Sequence, residues 1–148
     1  MDVHASVEAP CADSQLFAVV DDLGGYPAWI DLVHAADRDG DDAEGPAWRV
    51  ELRARVGPLA RSKRLRMVRT VHRPDDGLVV FERRETDGRR HSPWVLRAEV
   101  VPSPHEQCVL HMHLHYGGSL WTGGVLERAL ADQIEASRGR LVSLLAPR

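Results

Sequence analysis

The last quarter of the chain constrains the fold most, because a strand-like segment, 109–116, leads through two glycine pairs into one long amphipathic helix. The apolar residues of this helix recur at helical spacing: Leu126, Leu130, Ile134, Leu141 and Leu145. This spacing places them on one stripe, which must lie against another apolar surface. Strands with one apolar face precede the helix, so we expect a sheet that wraps around it. A sheet curved around a single helix often encloses a cavity, and the sequence therefore predicts a binding pocket.

Length and composition fit a single domain over residues 1–148. A chain of this length buries roughly two thirds of its unfolded surface without needing disulfides. No apolar run reaches the ~20 residues of a membrane span, and the N-terminus lacks the basic-then-apolar pattern of a secretion signal. We therefore expect a cytoplasmic protein, a monomer or homodimer, in which Cys11 and Cys108 are free thiols. No cofactor is predicted.

Charge is distributed unevenly along the chain. Residues 1–51 hold twelve acidic and two basic side chains, a net of −10, whereas residues 52–97 hold thirteen basic and five acidic ones, a net of +8. A basic block such as the Arg49–Arg73 segment can bind nucleic acid or anionic lipid. Its arginines alternate with apolar residues, which favours the solvated outer face of a sheet instead. Nucleic acid is therefore not expected as the main partner.

The elements follow the order of one strand, two helices, about six strands and one long helix. The first strand covers His4–Ala9 and ends at Pro10. Asp13 or Ser14 is expected to cap the first helix, and Pro27 suits the first turn of a second, shorter helix.

The acidic segment Asp37–Gly45 is interpreted as a hairpin-like connection. The strands after it alternate apolar and polar residues, so each has one buried and one wet face. The clearest apolar set is Trp48, Val50, Leu52, Ala54 and Val56.

Two short segments, together with this order of elements, carry a resemblance to a known family. The first strand ends in Ala9-Pro10, and the first helix is followed by an aspartate, two glycines and the Tyr-Pro-Ala-Trp segment 26–29. These features resemble the START-like superfamily, which includes Bet v 1, the polyketide cyclases and aromatases, and small lipid-transfer domains. The resemblance covers nearly the whole chain.

Several expectations follow from this resemblance. It implies an α+β helix-grip fold, in which a curved seven-stranded antiparallel sheet surrounds the C-terminal helix and two short helices follow the first strand. It implies that a hydrophobic ligand, such as a lipid, polyketide or quinone, lies between sheet and helix, while leaving the use of that pocket open. The first and last strands pair in this fold, which would bring Cys11 close to Cys108.

A pocket of this kind needs adaptable apolar side chains on the sheet and small residues on the helix. Ala129, Ala136 and Ser137 lie near Ile134 in the helix and would leave room for a ligand. Aromatic and methionine side chains can follow an irregular apolar ligand. The predicted ligand-binding residues are Trp29, Trp48, Met67, Phe81, Trp94, Met112, Tyr116, Trp121, Leu130 and Ile134. Membership of the ordinary core is the alternative for each of them.

Arg69, Arg83 and Tyr116 are the polar candidates for ligand contact or catalysis, with His91 a weaker addition. Strand alternation turns Arg69 inward, and Arg83 shares a strand face with Phe81. If Phe81 points into the cavity, Arg83 does too, and it can hold a carboxylate, an enolate or a phosphate. The alternative is a salt bridge from Arg83 to Glu82, Glu85 or Glu99.

His111, His113 and His115 alternate along the last strand, so their imidazoles share one face. Two of them can chelate zinc, and a third ligand would complete a catalytic type of site. The core needs the opposite, apolar face of this strand, so the histidines should lie on the outer surface. We therefore predict an exposed polar face, with a metal site as the weaker alternative.

The sequence favours a carrier or sensor of a small hydrophobic molecule. A polyketide aromatase/cyclase or dehydratase is the alternative, because the resemblance includes such enzymes. No Ser/His/Asp or Cys/His set and no phosphate-binding glycine loop supports another chemistry. A third hypothesis is a ribosome- or RNA-associated interaction module that uses the Arg49–Arg73 face.

Overall fold

The computed structural model describes residues 2–10, 12–56, 58–117 and 125–145, with side chains described in these ranges except at 55, 56 and 125–131. Seven strands and two α-helices are present in the described ranges, together with short 3-10 helices. Their order is β1 (Asp2–Ala9), α1 (Asp13–Val20), a 3-10 helix (Leu23–Ala28), β2 (Val33–Asp42), β3 (Gly45–Val56), β4 (Leu59–Arg73), a 3-10 turn (Pro74–Asp76), β5 (Leu78–Arg83), β6 (Trp94–Ser103), β7 (Gln107–Tyr116) and α2 (Val125–Leu145).

The seven strands form one curved antiparallel sheet in the order β1-β7-β6-β5-β4-β3-β2. Because side chains alternate between faces, every second residue of each strand points to the concave side, where the helices pack. This α+β helix-grip architecture confirms the fold predicted from the sequence. At the paired ends of β1 and β7, Ala9 lies opposite the buried Cys108. Cys11 lies outside the described residues, so its closeness to Cys108 stays a prediction.

The acidic segment Asp37–Gly45 is not the connection that the sequence predicted, and that prediction is wrong. β2 continues to Asp42, and only residues 43 and 44 form the turn to β3. β2 is an edge strand, paired with β3 alone, and two register shifts interrupt the pairing. Charged side chains and irregular pairing are typical of edge strands, so the segment lacks the apolar alternation that would have revealed a strand.

The N-cap of the first helix lies one residue before the earlier of the two expected positions. Ala12 occupies the N-cap position, where the sequence predicted Asp13 or Ser14. The side-chain oxygen of Gln15 accepts a hydrogen bond from the Ala12 backbone N–H at 3.1 Å, so a side chain inside the helix satisfies the cap. The helix buries its inner face in the core through Leu16, Phe17 and Val20.

The second helix is a 3-10 helix that starts at Leu23, earlier than the sequence suggested. Asp22 caps it, because its Oδ1 accepts from the Gly24 backbone N–H at 2.8 Å. Pro27 is therefore the fifth of six residues and does not lie in the first turn, which corrects the prediction. Trp29 follows directly and is fully buried.

The C-terminal helix α2 buries Ile134, Ser137 and Leu141. Ala136 was expected to face the ligand, but it is exposed, because two residues correspond to a rotation of about 200° around the helix from Ile134. Three further predictions on this helix concern side chains outside the described set: Leu126, Ala129 and Leu130.

Polar contacts hold α2 against the rest of the domain. Gln133 Oε1 accepts from the Leu32 backbone N–H at 2.5 Å, and Arg138 Nε donates to the Glu8 carbonyl at 3.0 Å. Arg140 forms a salt bridge with Asp31, next to the 3-10 helix. None of the helices in the described ranges is long and apolar enough to cross a membrane.

Candidate ligand-binding cavity

An apolar cavity of about 80 Å³ lies between the concave face of the sheet, the 3-10 helix and α2. Six of the seven strands contribute to its wall, because alternate residues on each strand share the concave face. The polar side-chain groups of its described lining residues are the Tyr26 hydroxyl and the indole N–H of Trp94. The described lining residues are Val3, Ala5, Leu23, Tyr26, Ile30, Leu32, Val33, Val50, Leu52, Leu65, Met67, Trp94, Leu96, Met112, Leu114 and Ile134.

The cavity is small for a ligand site. Pockets that bind drug-sized molecules usually measure about 300–1,000 Å³. A ligand of more than a few heavy atoms must therefore displace side chains on entering. Met67 and Met112 line the wall, and methionine side chains are unbranched with three rotatable bonds, so they can rearrange at low cost.

The ten predicted ligand-binding residues fall into three groups. Met67, Trp94, Met112 and Ile134 line the cavity. Trp121 and the side chain of Leu130 lie outside the described residues. The other four are buried beside the cavity without lining it: Trp29, Trp48, Phe81 and Tyr116. Their contact with a ligand stays a prediction.

Packing between aromatic rings explains the position of three of these four residues: Trp29, Trp48 and Phe81. Tyr26, which the sequence analysis missed, joins two of them, with ring centroids 5.3 Å from Trp29 and 6.2 Å from Phe81. Phe81 also packs edge-on against Trp48 at 5.6 Å. The Tyr26 hydroxyl donates to the Val20 carbonyl at 2.8 Å, and burial raises the pKa of Tyr26. The 3-10 helix thus fills with aromatic side chains the part of the concave face that the sequence assigned to a ligand.

Arg69 lies on the concave face of β4, opposite Phe81 on β5. Its Nη1 donates to the Asp21 carbonyl at 3.0 Å, at the C-cap of α1, where backbone carbonyls lack helical partners. Its buried Nε has no partner among the described residues, and Arg69 does not line the cavity. This geometry favours a structural role, in which Arg69 holds the end of α1 against the sheet.

Arg83 is the last residue of β5, the middle strand of the sheet, and shares the concave face with Phe81. Its partner on β4 is Met67, and the β5–β6 register places Trp94 on its other side; both neighbours line the cavity. Only 8% of the Arg83 side chain is exposed. Its Nε donates to Glu85 Oε2 at 3.3 Å, and Nη1 donates to the carbonyl and hydroxyl oxygens of Ser92 at 3.2 and 3.3 Å. The salt bridge to Glu85, one of the sequence alternatives, is therefore present.

His91 completes the surroundings of Arg83. Arg83 Nη2 lies 3.3 Å from His91 Nδ1. Because a guanidinium group can only donate, Nδ1 must accept, and the neutral ring carries its proton on Nε2. Nε2 then donates to Asp87, whose two carboxylate oxygens both lie 2.9 Å away. Both ring nitrogens are thus engaged, so His91 offers no free lone pair as a general base.

Lys63 is a second residue of the concave face that the sequence analysis missed; it does not itself line the cavity, but its strand neighbours do. It pairs with Leu52 on β3, so its side chain leaves from the concave face, and Leu65 lies two residues along the same strand. Both leucines line the cavity. Burial lowers the pKa of Lys63, the charge of Arg83 lowers it further, and the charge of Glu85 opposes this. Lys63 is distant in sequence from Arg83 and Glu85, and the pairing of the strands brings it close to them.

The three histidines of β7 lie on the opposite face, away from the cavity. His111 Nδ1 is 2.9 Å from Ser6 Oγ, whereas His113 Nε2 and His115 Nδ1 lie 2.8 and 3.0 Å from the same Asp2 oxygen. The hydrogen bond from His113, followed by that from His115, lowers the pKa of Asp2. Within the described ranges no three His, Cys, Asp or Glu residues are arranged to hold a metal ion.

Ion pairs across the outer face join the acidic and basic parts of the sequence. Arg66 lies 3.1 Å from Asp39 and 3.0 Å from Asp42, and its hydrogen bonds lower the pKa of both carboxyls. Arg49 also pairs with Asp39, at 3.3 Å, and Arg84 pairs with Glu44 on the β2–β3 turn at 2.8 Å. The acidic segment therefore pairs with three arginines of the following strands: Arg49, Arg66 and Arg84.

A larger groove of about 410 Å³ lies beside this network. Its lining includes three arginines and four carboxylates, so no single sign of charge dominates it: Arg49, Arg64, Arg66, Asp37, Glu51, Glu85 and Asp87. Mixed charge of this kind gives little selectivity for an anion or a cation. We therefore place the candidate site in the smaller, apolar cavity.

A curved sheet that closes on a C-terminal helix around an apolar cavity defines a helix-grip domain of the START-like class. The chain belongs to the family described as "Polyketide cyclase / dehydrase and lipid transport", whose sequence profile matches residues 1–146. No protein with a curated description matches the chain in sequence.

Solved structures support the fold at low sequence identity. A START superfamily protein from Mycobacterium smegmatis is 16% identical, with a TM-score of 0.71 over 97% of this chain and 96% of its own. A protein from Thermus thermophilus is 12% identical, with a TM-score of 0.70 over 98% and 97%. One from Chromobacterium violaceum is 11% identical, with a TM-score of 0.68 over 99% and 98%. At these identities the likeness concerns the fold.

Proposed function

We propose that the chain is a single ligand-binding domain over residues 1–148, which holds a small hydrophobic molecule between sheet and helix as a carrier or sensor. The observation that carries this proposal is the apolar cavity, to which six strands and two helices contribute side chains. An apolar ligand that buries about 200 Å² gains roughly 5 kcal/mol, enough for weak to moderate affinity after the entropy cost of association.

Catalysis takes second place, although the family description includes cyclases and dehydrases. Aldol closure or dehydration of a keto chain needs an acid or base near the substrate. In the part of the chain that the structure describes, Arg69 is bound to α1 and both nitrogens of His91 are engaged. A cyclase hypothesis therefore depends on Arg83 or Tyr116, and turnover of a keto-chain mimic that disappears in R83M would support it.

An RNA-associated role takes third place. Arg49 and Arg66 of the Arg49–Arg73 face are already paired with carboxylates of β2, which reduces the positive potential available to phosphates. RNA binding that falls steeply with salt would favour this alternative over a carrier.

A cavity-filling substitution tests the carrier proposal. Ala5 lines the cavity from β1, so in A5L the added carbons occupy the ligand space. A60L adds the same atoms at an exposed position on β4 and serves as the matched control. We expect a polarity-sensitive dye such as 1-anilinonaphthalene-8-sulfonate to bind the wild type and A60L equally and A5L at least tenfold more weakly. Equal binding by all three would contradict the location of the site.

A further inference from the structure

We propose that the cavity takes an amphiphile with one negative charge, whose carboxylate lies at Lys63 and Arg83 while its tail enters the apolar space. This inference rests on the proposed carrier function and adds to it the chemistry of the ligand's head. Both cations leave from the concave face, and their strand neighbours Leu52, Met67 and Trp94 line the cavity.

The net charge of the group formed by Lys63, Arg83 and Glu85 matches a single anion. Glu85 is bonded to Arg83 through Oε2 and to the Arg66 backbone N–H through Oε1, so it neutralises Arg83 and is itself satisfied. Lys63 lies within the electrostatic influence of Arg83 and Glu85, yet it makes no hydrogen bond or ion pair within the described residues. One positive charge therefore remains among these three residues, on the concave face where the strand partner of Lys63, Leu52, lines the cavity. A carboxylate supplies one negative charge, whereas a phosphate monoester carries about −1.5 to −2 at neutral pH.

Donor groups for the head are also available. A guanidinium group has five N–H donors. Arg83 directs four of them to Glu85, Ser92 and His91, since Nη1 bonds two oxygens of Ser92. One N–H of Arg83 and the three of Lys63 remain for a carboxylate, and hydrogen bonds to a charged group are the stronger kind.

The other cationic side chains considered do not combine free hydrogen-bond donors with a position beside the cavity. The Arg69 guanidinium is bound at the end of α1, and Arg66 is paired with Asp39 and Asp42 on the outer face. The histidines of β7 face away from the cavity. The part of the concave face around Lys63 and Arg83, whose strand partners line the cavity, is therefore where an anionic head can be bound while an apolar tail enters the cavity.

Two ligands that share a tail and differ in the head distinguish binding of the head from binding of the tail. Decanoate and decanol are titrated below their aggregation limits against the wild type, K63M, K63R and R64M, with native mass spectrometry and thermal shift as measurements. Met keeps the length of the Lys63 side chain without its charge. Arg64 is the next residue and points to the opposite face, so R64M is the control for loss of one positive charge. Unfolding temperatures of the free variants control for folding.

We expect wild-type protein to bind decanoate about tenfold more tightly than decanol, the usual size of a charge-assisted hydrogen bond. K63M should lose this preference and keep its affinity for decanol, whereas K63R and R64M should keep the preference. Equal binding of both ligands by the wild type, or an unchanged preference in K63M, would overturn the head site and leave the carrier function standing. If neither decanoate nor decanol binds, the carrier function itself is refuted. If decyl phosphate binds more tightly than decanoate, the choice of a singly charged head is overturned.

Discussion

Replacing Arg83 by methionine tests whether the buried polar cluster is built as described. Arg83 is 8% exposed and donates to Glu85, Ser92 and His91. Removing one partner of a fully buried ion pair usually costs about 3–5 kcal/mol. Glu85 keeps its bond to the Arg66 backbone and is 18% exposed, which reduces the penalty of leaving it unpaired. We therefore expect R83M to lower the free energy of unfolding by roughly 2–3 kcal/mol.

The next residue in the chain provides a matched control for R83M. Arg84 is 41% exposed and pairs with Glu44 on the outer face, where an ion pair contributes at most about 1 kcal/mol. Urea unfolding followed by tryptophan fluorescence measures both variants, and R83M/E85Q completes a double-mutant cycle. Equal, small losses in R83M and R84M, or no coupling between positions 83 and 85, would refute the buried cluster.

Two further predictions concern a surface ion pair and two glycines. Arg140 lowers the pKa of Asp31 in the folded state, so this pair stabilises the protein fully above the unfolded pKa of about 3.9 and its contribution is lost as the pH falls through the lower folded pKa. The difference in Tm between wild type and D31N should be constant from pH 7 to about 5 and shrink by about pH 2.5; a difference that grows on acidification would contradict this. Gly77 has φ +64 and an added Cβ would lie 2.4 Å from the Val100 carbonyl oxygen, whereas Gly40 has φ +69 with open space around it. G40A should cost about 1 kcal/mol in urea unfolding and G77A at least about 1 kcal/mol more, and equal losses would mean that the close approach to β6 is absent.

The strands and the long helix were predictable because their faces differ in polarity. Alternation along β3 placed Trp48, Val50, Leu52 and Ala54 on the buried side, and Ile134 and Leu141 carried the helical stripe. β2 escaped prediction because it is an edge strand whose charged side chains pair with arginines of other strands. Its strand character depends on partners that are distant in sequence.

The contents of the cavity were harder to predict than its existence. Trp48 and Phe81 have inward positions, but their rings pack into the aromatic cluster with Tyr26. Lys63 lies on the concave face because the strand register places it opposite Leu52, which lines the cavity, and within the electrostatic influence of Arg83 and Glu85. Periodicity defines which face a residue occupies, whereas the register between strands defines which residues of that face meet.

Native mass spectrometry of freshly purified protein tests the central claim most directly. The account predicts a mass above that of the bare chain for the wild type, and the added mass should be a small hydrophobic molecule that organic extraction releases. A5L, with its cavity filled, should show the bare mass. A wild-type protein that carries no extractable molecule and takes up neither decanoate nor decanol when these are supplied would contradict the claim that the cavity holds a ligand.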